Sequence, residues 1–237
     1  MITCAHAVCA VPLSQLQAGR LAFSPPLSEA KQAALHRVRM GNAIKVWAVF
    51  SHAFWSEDTW DVVCPHCLIP EFSMCKYKPE MRSAAGDEAL QRSPAQHHSS
   101  NKKQLHCVTG FVCGERAAKL SQRTDTQKVQ LLVQQLDEIF STAACAQPAS
   151  TAFVRGAAVD WSKKQYFEGA YCSPSLGAKV GDRGLLAQAA GDALLFAGEH
   201  THPGINPCLQ AALDTGDRAA AQVVQARQRR GRAQSKL

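Results

Sequence analysis

The chain has 237 residues, 46% of them apolar and 19% charged, with a net charge of +7. That composition excludes a disordered or fibrous chain and suits one large or two small domains with a real core. No run of about 18 apolar residues occurs, so no membrane-spanning helix is expected, and no charged segment followed by an apolar stretch reads as a secretory signal.

Residues 7–13 (AVCAVPL) read as a strand ending at Pro12, followed by Leu16 and by Phe23-Ser24-Pro25-Pro26-Leu27, whose prolines stiffen a crossing linker. Residues 28–39 form a predicted amphipathic helix with Ala30, Ala34, Leu35 and Val38 on one side, stopped by Gly41 and Asn42. Residues 44–50 (IKVWAVF) are dense in strand formers. Lys45 lies inside them, where a charge ordinarily marks the solvent face of an edge strand.

Ten cysteines are scattered along the chain and are expected as reduced thiols. Cys64-Pro-His-Cys67 has redox or zinc spacing, but Pro70 and a loop follow it rather than a helix start. Cys107 and Cys113 are too far apart to complete a zinc knuckle, so ordinary thiols are expected and no metal site. Residues 73–103, with Pro79, Pro94 and the pair His97-His98, read as a long loop or disordered insertion.

Residues 105–113 predict a strand ending at Gly114-Glu115. Residues 124–140 predict a helix with Val129, Leu132, Val133, Leu136, Ile139 and Phe140 in phase and Asp125 near its start. Leu194-Leu195-Phe196-Ala197 reads as a buried strand of parallel-sheet type, ending at Gly198. A polar loop, Glu199-His200-Thr201-His202-Pro203-Gly204, leads to Asn206 as N-cap and Pro207 as first helical residue. The helix from Leu209 is expected to bury Leu209, Ala212, Leu213, Ala220, Val223 and Val224. Its end is basic, with Arg218, Arg227, Arg229, Arg230, Arg232 and then Lys236. No aromatic residue interleaves with these charges, so a solvated helix end is expected rather than a nucleic-acid surface.

Four separated segments, in order, resemble the flavin-dependent amine oxidases, the family of polyamine oxidases, monoamine oxidases and lysine-specific histone demethylases. They are Val11-Pro12-Leu13 with Phe23–Leu27; Met40-Gly41-Asn42-Ala43-Ile44-Lys45; Trp161, Tyr166, Gly169 and Tyr171; and Phe196-Ala197-Gly198-Glu199-His200-Thr201 with its helix. The resemblance covers the chain except residues 73–103 and the tail. It implies an α/β (α+β) fold: a mixed-sheet substrate domain with flanking helices, plus the C-terminal strand, loop and helix of an FAD-binding domain. Residues 1–23 and 159–226 would belong to the FAD-binding domain, residues 24–158 to the substrate domain, and residues 227–237 to a basic tail. No GxGxxG fingerprint is present, so the chain corresponds to the family's C-terminal half.

The same resemblance implies FAD as cofactor, with Gly198, Glu199, Thr201, Leu209 and Trp161 beside it. Lys45 would hold a water at the flavin N5, and Tyr171 and Cys208 would wall an amine. Ala170 stands where monoamine oxidases carry their flavin-linked cysteine, so FAD would be bound noncovalently. Lys164-Gln165 replaces the usual Asp-Pro, and Cys208 replaces a usual Thr or Tyr. The implied reaction oxidises an amine C–N bond, with a polyamine as expected substrate and O₂ reduced to H₂O₂. A lobe without catalysis that binds a partner is the alternative. Ser235-Lys236-Leu237 matches the peroxisomal address read by an import receptor; a cytoplasmic location is the alternative.

Overall fold

The strand formers at both ends of the chain meet each other. In the computed structural model, which describes residues 1–75, 105–204 and 208–234, β1 (Ala7–Cys9) pairs in parallel with β9 (Leu194–Phe196), Ala7 opposite Leu194 and Cys9 opposite Phe196. The apolar run at Leu194 therefore has the expected parallel partner. The expected insertion beyond Cys75, with His97 and His98, lies outside the described residues, as do Asn206, Pro207, Ser235, Lys236 and Leu237.

Two compact units are present: Met1–Ala43 with Asp160–Leu237, and Ile44–Val159. In the first, Leu13 opens a short helix α1 (Leu13–Gln17) rather than ending a strand. Helix α2 (Glu29–Arg37) starts at Ser28, whose hydroxyl accepts from the Lys31 N–H. It buries Lys31, Ala34 and Leu35, while Ala30 is exposed, so the buried stripe is rotated from the expected one. Gly41 and Asn42 do not stop it: the chain passes at once into β2 (Val38–Gly41), antiparallel to β8 (Tyr171–Pro174). Because β2 pairs with β8 and α2 packs on α6 (Asp182–Ala187), residues 24–43 belong with the first unit, not with the second as their place in the sequence suggested. Leu13, Leu27, Leu35, Val38, Leu186 and Phe196 form the apolar core.

The second unit is a five-stranded sheet with β3 (Ala43–Phe50), β4 (Asp61–Val63), β5 (Glu71–Cys75), β6 (His106–Cys113) and β7 (Phe153–Asp160) in the order β4-β5-β6-β3-β7. Ser73 to Cys75, expected in the loop, are thus the end of a strand. Alternation sends Ile44, Val46, Ala48 and Phe50 inward. Gly114 and Glu115 do not merely end β6; they open α3 (Gly114–Ser121). Helix α4 (Asp125–Phe140) starts with a capping box between Thr124 and Gln127 and buries Val129, Leu132, Val133 and Leu136 as expected, whereas Ile139 is exposed. Asp137 Oδ1 accepts the Ala149 and Ser150 N–H groups at 2.7 and 3.0 Å, capping α5 (Pro148–Ala152). Gly156 on β7 is obligatory for packing: a Cβ there would lie 2.4 Å from Val129 Cγ1 and 2.7 Å from the Trp47 carbonyl.

Helix α7 (Leu209–Gln234) corrects the sequence reading most clearly. It buries Ala211, Thr215 and Ala219, while Leu209 and Leu213 are 72% and 61% exposed and Ala220 and Val224 also face out. Small side chains let the helix approach β9 closely, and the Thr215 hydroxyl accepts the Gly198 N–H at 2.9 Å, which a larger apolar residue would block.

Candidate functional site

The loop after β9 turns through a single 3-10 turn, Glu199–Thr201, and Gly198 makes that possible. Its φ is +119°, and a Cβ there would stand 2.7 Å from the His200 ring. Thr201 is fully buried, and its hydroxyl donates to the Gly198 carbonyl at 2.8 Å. Arg218 then ties loop and strand to α7: its guanidinium donates to the Phe196 carbonyl (2.6 Å), the Thr201 carbonyl (3.1 Å) and the Thr201 hydroxyl (3.0 Å). Arg218 is therefore not part of a solvated basic end, as its place in the sequence suggested; burial holds its guanidinium below the ordinary range.

Glu199 points back to β8. Its Oε1 accepts the Cys172 N–H at 2.9 Å, and its Oε2 accepts the Cys172 thiol at 2.8 Å. Arg183 on α6 donates to Cys172 Sγ at 3.0 Å and to the Glu199 and His202 carbonyls, both at 3.3 Å. Burial, then the adjoining Glu199 carboxylate, pushes the Cys172 thiol up, so this cysteine is a proton donor and not a nucleophile. His200 is buried, and burial together with the Arg183, Lys31 and Arg218 charges lowers it to about 4, leaving a neutral imidazole.

Lys31 is a further side chain whose role the sequence did not reveal. Its Nζ donates to the Leu186 and Gln188 carbonyls at 2.7 and 2.6 Å and sits 3.8 Å from the Phe196 ring centroid. Burial lowers it to about 8. A lysine next to Ala30 in the sequence carried no signal of this role, because only the tertiary packing shows which side of α2 meets the end of α6.

Tyr171 opens β8, and Trp161 opens a 3-10 turn ahead of it in the chain. Tyr171 pairs with Gly41, and a Cβ at Gly41 would meet the Tyr171 carbonyl at 3.1 Å. Gly169 has φ +149°, and a Cβ would fall 2.2 Å from Met40 Cγ, which explains a glycine two residues before the tyrosine. The Trp161 ring meets Phe167 edge to face at 5.5 Å, and its carbonyl accepts the Gly169 N–H at 3.0 Å. At the start of α7, Cys208 Sγ accepts the Ala211 N–H at 3.5 Å, in the manner of a cap. Trp161, Tyr171, Gly198, Glu199, Thr201, Cys208 and Leu209 all lie in the first unit.

Lys45 lies in the second unit. Its side chain is exposed, as expected, but β3 sits between β6 and β7, so the strand is interior and it is the sheet face that is open. Its Nζ stands 5.9 Å from the Phe111 ring centroid. Cys64 and Cys67 lie on the β4–β5 connection, where the Cys67 N–H donates to the Cys64 carbonyl at 3.0 Å. Burial and the neighbouring Cys67 push the Cys64 thiol up, the opposite of a redox-active thiol at a helix start. Among the described residues no group of three or more His, Cys, Asp or Glu side chains could hold a metal ion, and no helix is long and apolar enough to cross a membrane.

A parallel strand pair feeding a glycine turn, a fixed carboxylate and a long helix is the anatomy of an α/β ligand-binding fold. The chain belongs to the family described as flavin containing amine oxidoreductases, which matches residues 1–224. It is 26% identical over 225 residues to Lysine-specific histone demethylase 1 homolog 1 of Oryza sativa subsp. japonica, covering 95% of this chain and 24% of that protein. It is 26% identical to the human Peroxisomal N(1)-acetyl-spermine/spermidine oxidase, covering 91% of this chain and 42% of that protein. The fold is that of putrescine oxidase bound to putrescine (TM-score 0.67, 19% identity, 92% of this chain and 42% of that one). Cyclohexylamine oxidase from Brevibacterium oxydans shares it too (TM-score 0.66, 17% identity, 93% and 42%). The chain thus spans about a quarter of the plant demethylase it matches and under half of the oxidases, a partial amine oxidase fold. The family's cofactor is FAD. The residues present fit its noncovalent form: Ala170, before Tyr171, offers no thiol, and the Cys172 thiol just after it is held by Glu199.

Proposed function

We propose that this chain supplies the C-terminal part of an FAD-dependent amine oxidase acting on a C–N bond, with a polyamine as substrate. The observation that carries the reading is the fixed Glu199 on its glycine turn, ahead of the exposed start of α7. Glu199, Gly198, Thr201, Trp161 and the helix start at Leu209 would hold FAD, whose chemistry is to accept a hydride equivalent from the carbon beside the amine nitrogen and pass the electrons to O₂. Tyr171 would present its ring face to the amine, with Cys208 as the opposite, non-aromatic wall. Lys45 would hold a water by its ammonium group. The resulting imine is hydrolysed by water, and H₂O₂ is released.

A second reading takes methylated lysine in a peptide as the amine, favoured by the demethylase relatives. One experiment separates them: the purified chain is incubated with FAD, freed of unbound flavin, and examined for a flavin absorption band. H₂O₂ release is then followed with a polyamine and with a methyl-lysine peptide. Bound flavin and turnover of the polyamine support the first reading; turnover of the peptide alone supports the second. A colourless chain overturns both in favour of a non-catalytic lobe.

A peroxisomal location goes with the oxidase reading, resting on Ser235-Lys236-Leu237 and on the human relative. A fluorescent protein ending in residues 225–237 should collect in peroxisomes and be released to the cytosol when Leu237 is deleted; diffuse fluorescence with the tail intact overturns it.

A further inference from the structure

Cys75 on β5 and Cys107 on β6 are Cα partners across an antiparallel ladder. Residues directly opposed in such a ladder project to the same face, with Cα atoms about 4.5–5.5 Å apart. That lies inside the window of about 4.4–6.8 Å that a disulfide requires. The face is the open one. Phe72 and Met74 on β5 and Val108 and Val112 on β6 point into the core, so Cys75 and Cys107 alternate outward with Ser73 and Thr109. Cys75 is exposed and Cys107 half-buried. Burial, and then the nearby Cys75, pushes the Cys107 thiol up.

The remaining cysteines of the sheet are arranged otherwise. Cys113 is exposed but lies beyond the paired register of β5 and β6, and Cys64 and Cys67 share one turn. We infer that Cys75 and Cys107 form an oxidation site, a cross-strand dithiol that hydrogen peroxide converts into a disulfide. The exposed Cys75 thiol gives its proton to solvent, its sulfur attacks one peroxide oxygen, the O–O bond breaks, the departing hydroxide takes up a proton from solvent as water, and Cys75 becomes a sulfenic acid. The Cys107 sulfur then attacks Cys75 Sγ, the S–O bond breaks, and the departing hydroxide takes the Cys107 proton as a second water. Two thiols and one H₂O₂ give one disulfide and two waters; the sulfurs lose two electrons and the peroxide gains them. The bond closes the chain from Cys75 to Cys107 into a ring and ties β5 to β6 independently of the ladder, which removes freedom from the unfolded chain.

The test uses the whole chain, reduced, desalted and titrated with H₂O₂. Remaining thiols are alkylated, and the protein is digested without reductant for peptide mass spectrometry. The expected product is a Cys75 peptide joined to a Cys107 peptide, lighter than the two together by two hydrogen atoms and separated again by reductant. The oxidised protein should also melt several degrees higher than the reduced one. Cys75→Ser and Cys107→Ser should each abolish both signals. Recovery of Cys75 as free thiol or as sulfinic acid, without a Cys107 partner, overturns the site. If either serine variant loses its fold, the wild-type peptide map decides alone.

Discussion

Glu199 accepts two hydrogen bonds from one residue, the backbone N–H and the thiol of Cys172, at 2.9 and 2.8 Å. The thiol thereby joins the loop after β9 to β8, and Arg183 closes the triangle from α6. The carboxylate is held in place before any ligand meets it.

Glu199→Ala is therefore expected to weaken FAD retention more than it changes amine affinity. It also orphans the Cys172 N–H, at a cost of about 1–3 kcal/mol in stability. Cys172→Ser keeps a donor and should retain flavin. Absorbance of the purified variants and their urea midpoints check both; equal flavin retention in wild type and Glu199→Ala would count against the assigned role.

Lys45 is exposed on the sheet face, so Lys45→Met should leave stability within about 0.5 kcal/mol of wild type. If its ammonium holds the reactive water, the same variant keeps flavin bound and turns over more slowly. An unchanged rate in stopped-flow measurements returns Lys45 to a plain surface residue.

The first unit should lose stability in mild acid. His200 is lowered from 6.5 to about 4, so between those values the unfolded chain binds a proton that the folded chain excludes, and stability falls as pH falls. Above pH 6.5 the contribution is fully present. Asp182, held down by the Arg37 guanidinium at 2.6–3.1 Å, adds loss of the same sign at lower pH. The slope from His200 is at most about 1.4 kcal/mol per pH unit, and His200→Gln should remove it. Denaturant midpoints from pH 7 to pH 4 measure this, and parallel curves for the two proteins would contradict it.

Gln135 on α4 bonds both main-chain groups of Ile69: its Nε2 donates to the carbonyl at 3.0 Å, and its Oε1 accepts the N–H at 3.2 Å. All of these groups are buried. Gln135→Leu should destabilise the second unit by about 1–3 kcal/mol for each orphaned group, and Gln135→Glu should recover the half that needs only an acceptor. Thermal unfolding of the two variants distinguishes this from simple loss of volume, which Leu does not cause.

Local sequence determined what depends on neighbours in the chain. The capping box at Thr124, the periodicity of α4, the alternation of β3 and the apolar run before Gly198 are all set within a few residues of themselves, and the structure follows them. The motifs around Trp161, Tyr171 and Glu199 were legible for the same reason, as fixed spacings of special residue types. Tertiary structure decided what depends on distant partners. Which side of α7 is buried was set by the closeness of β9, which selects Ala211, Thr215 and Ala219 over the larger Leu209 and Leu213. Whether Lys31 and Arg218 are solvated or spent on carbonyls was set by strand and helix ends far away in the chain. That Glu199 is gripped by Cys172 was set by the turn after β9 meeting β8, which brings a carboxylate to the N–H and thiol of a residue far from it in the chain.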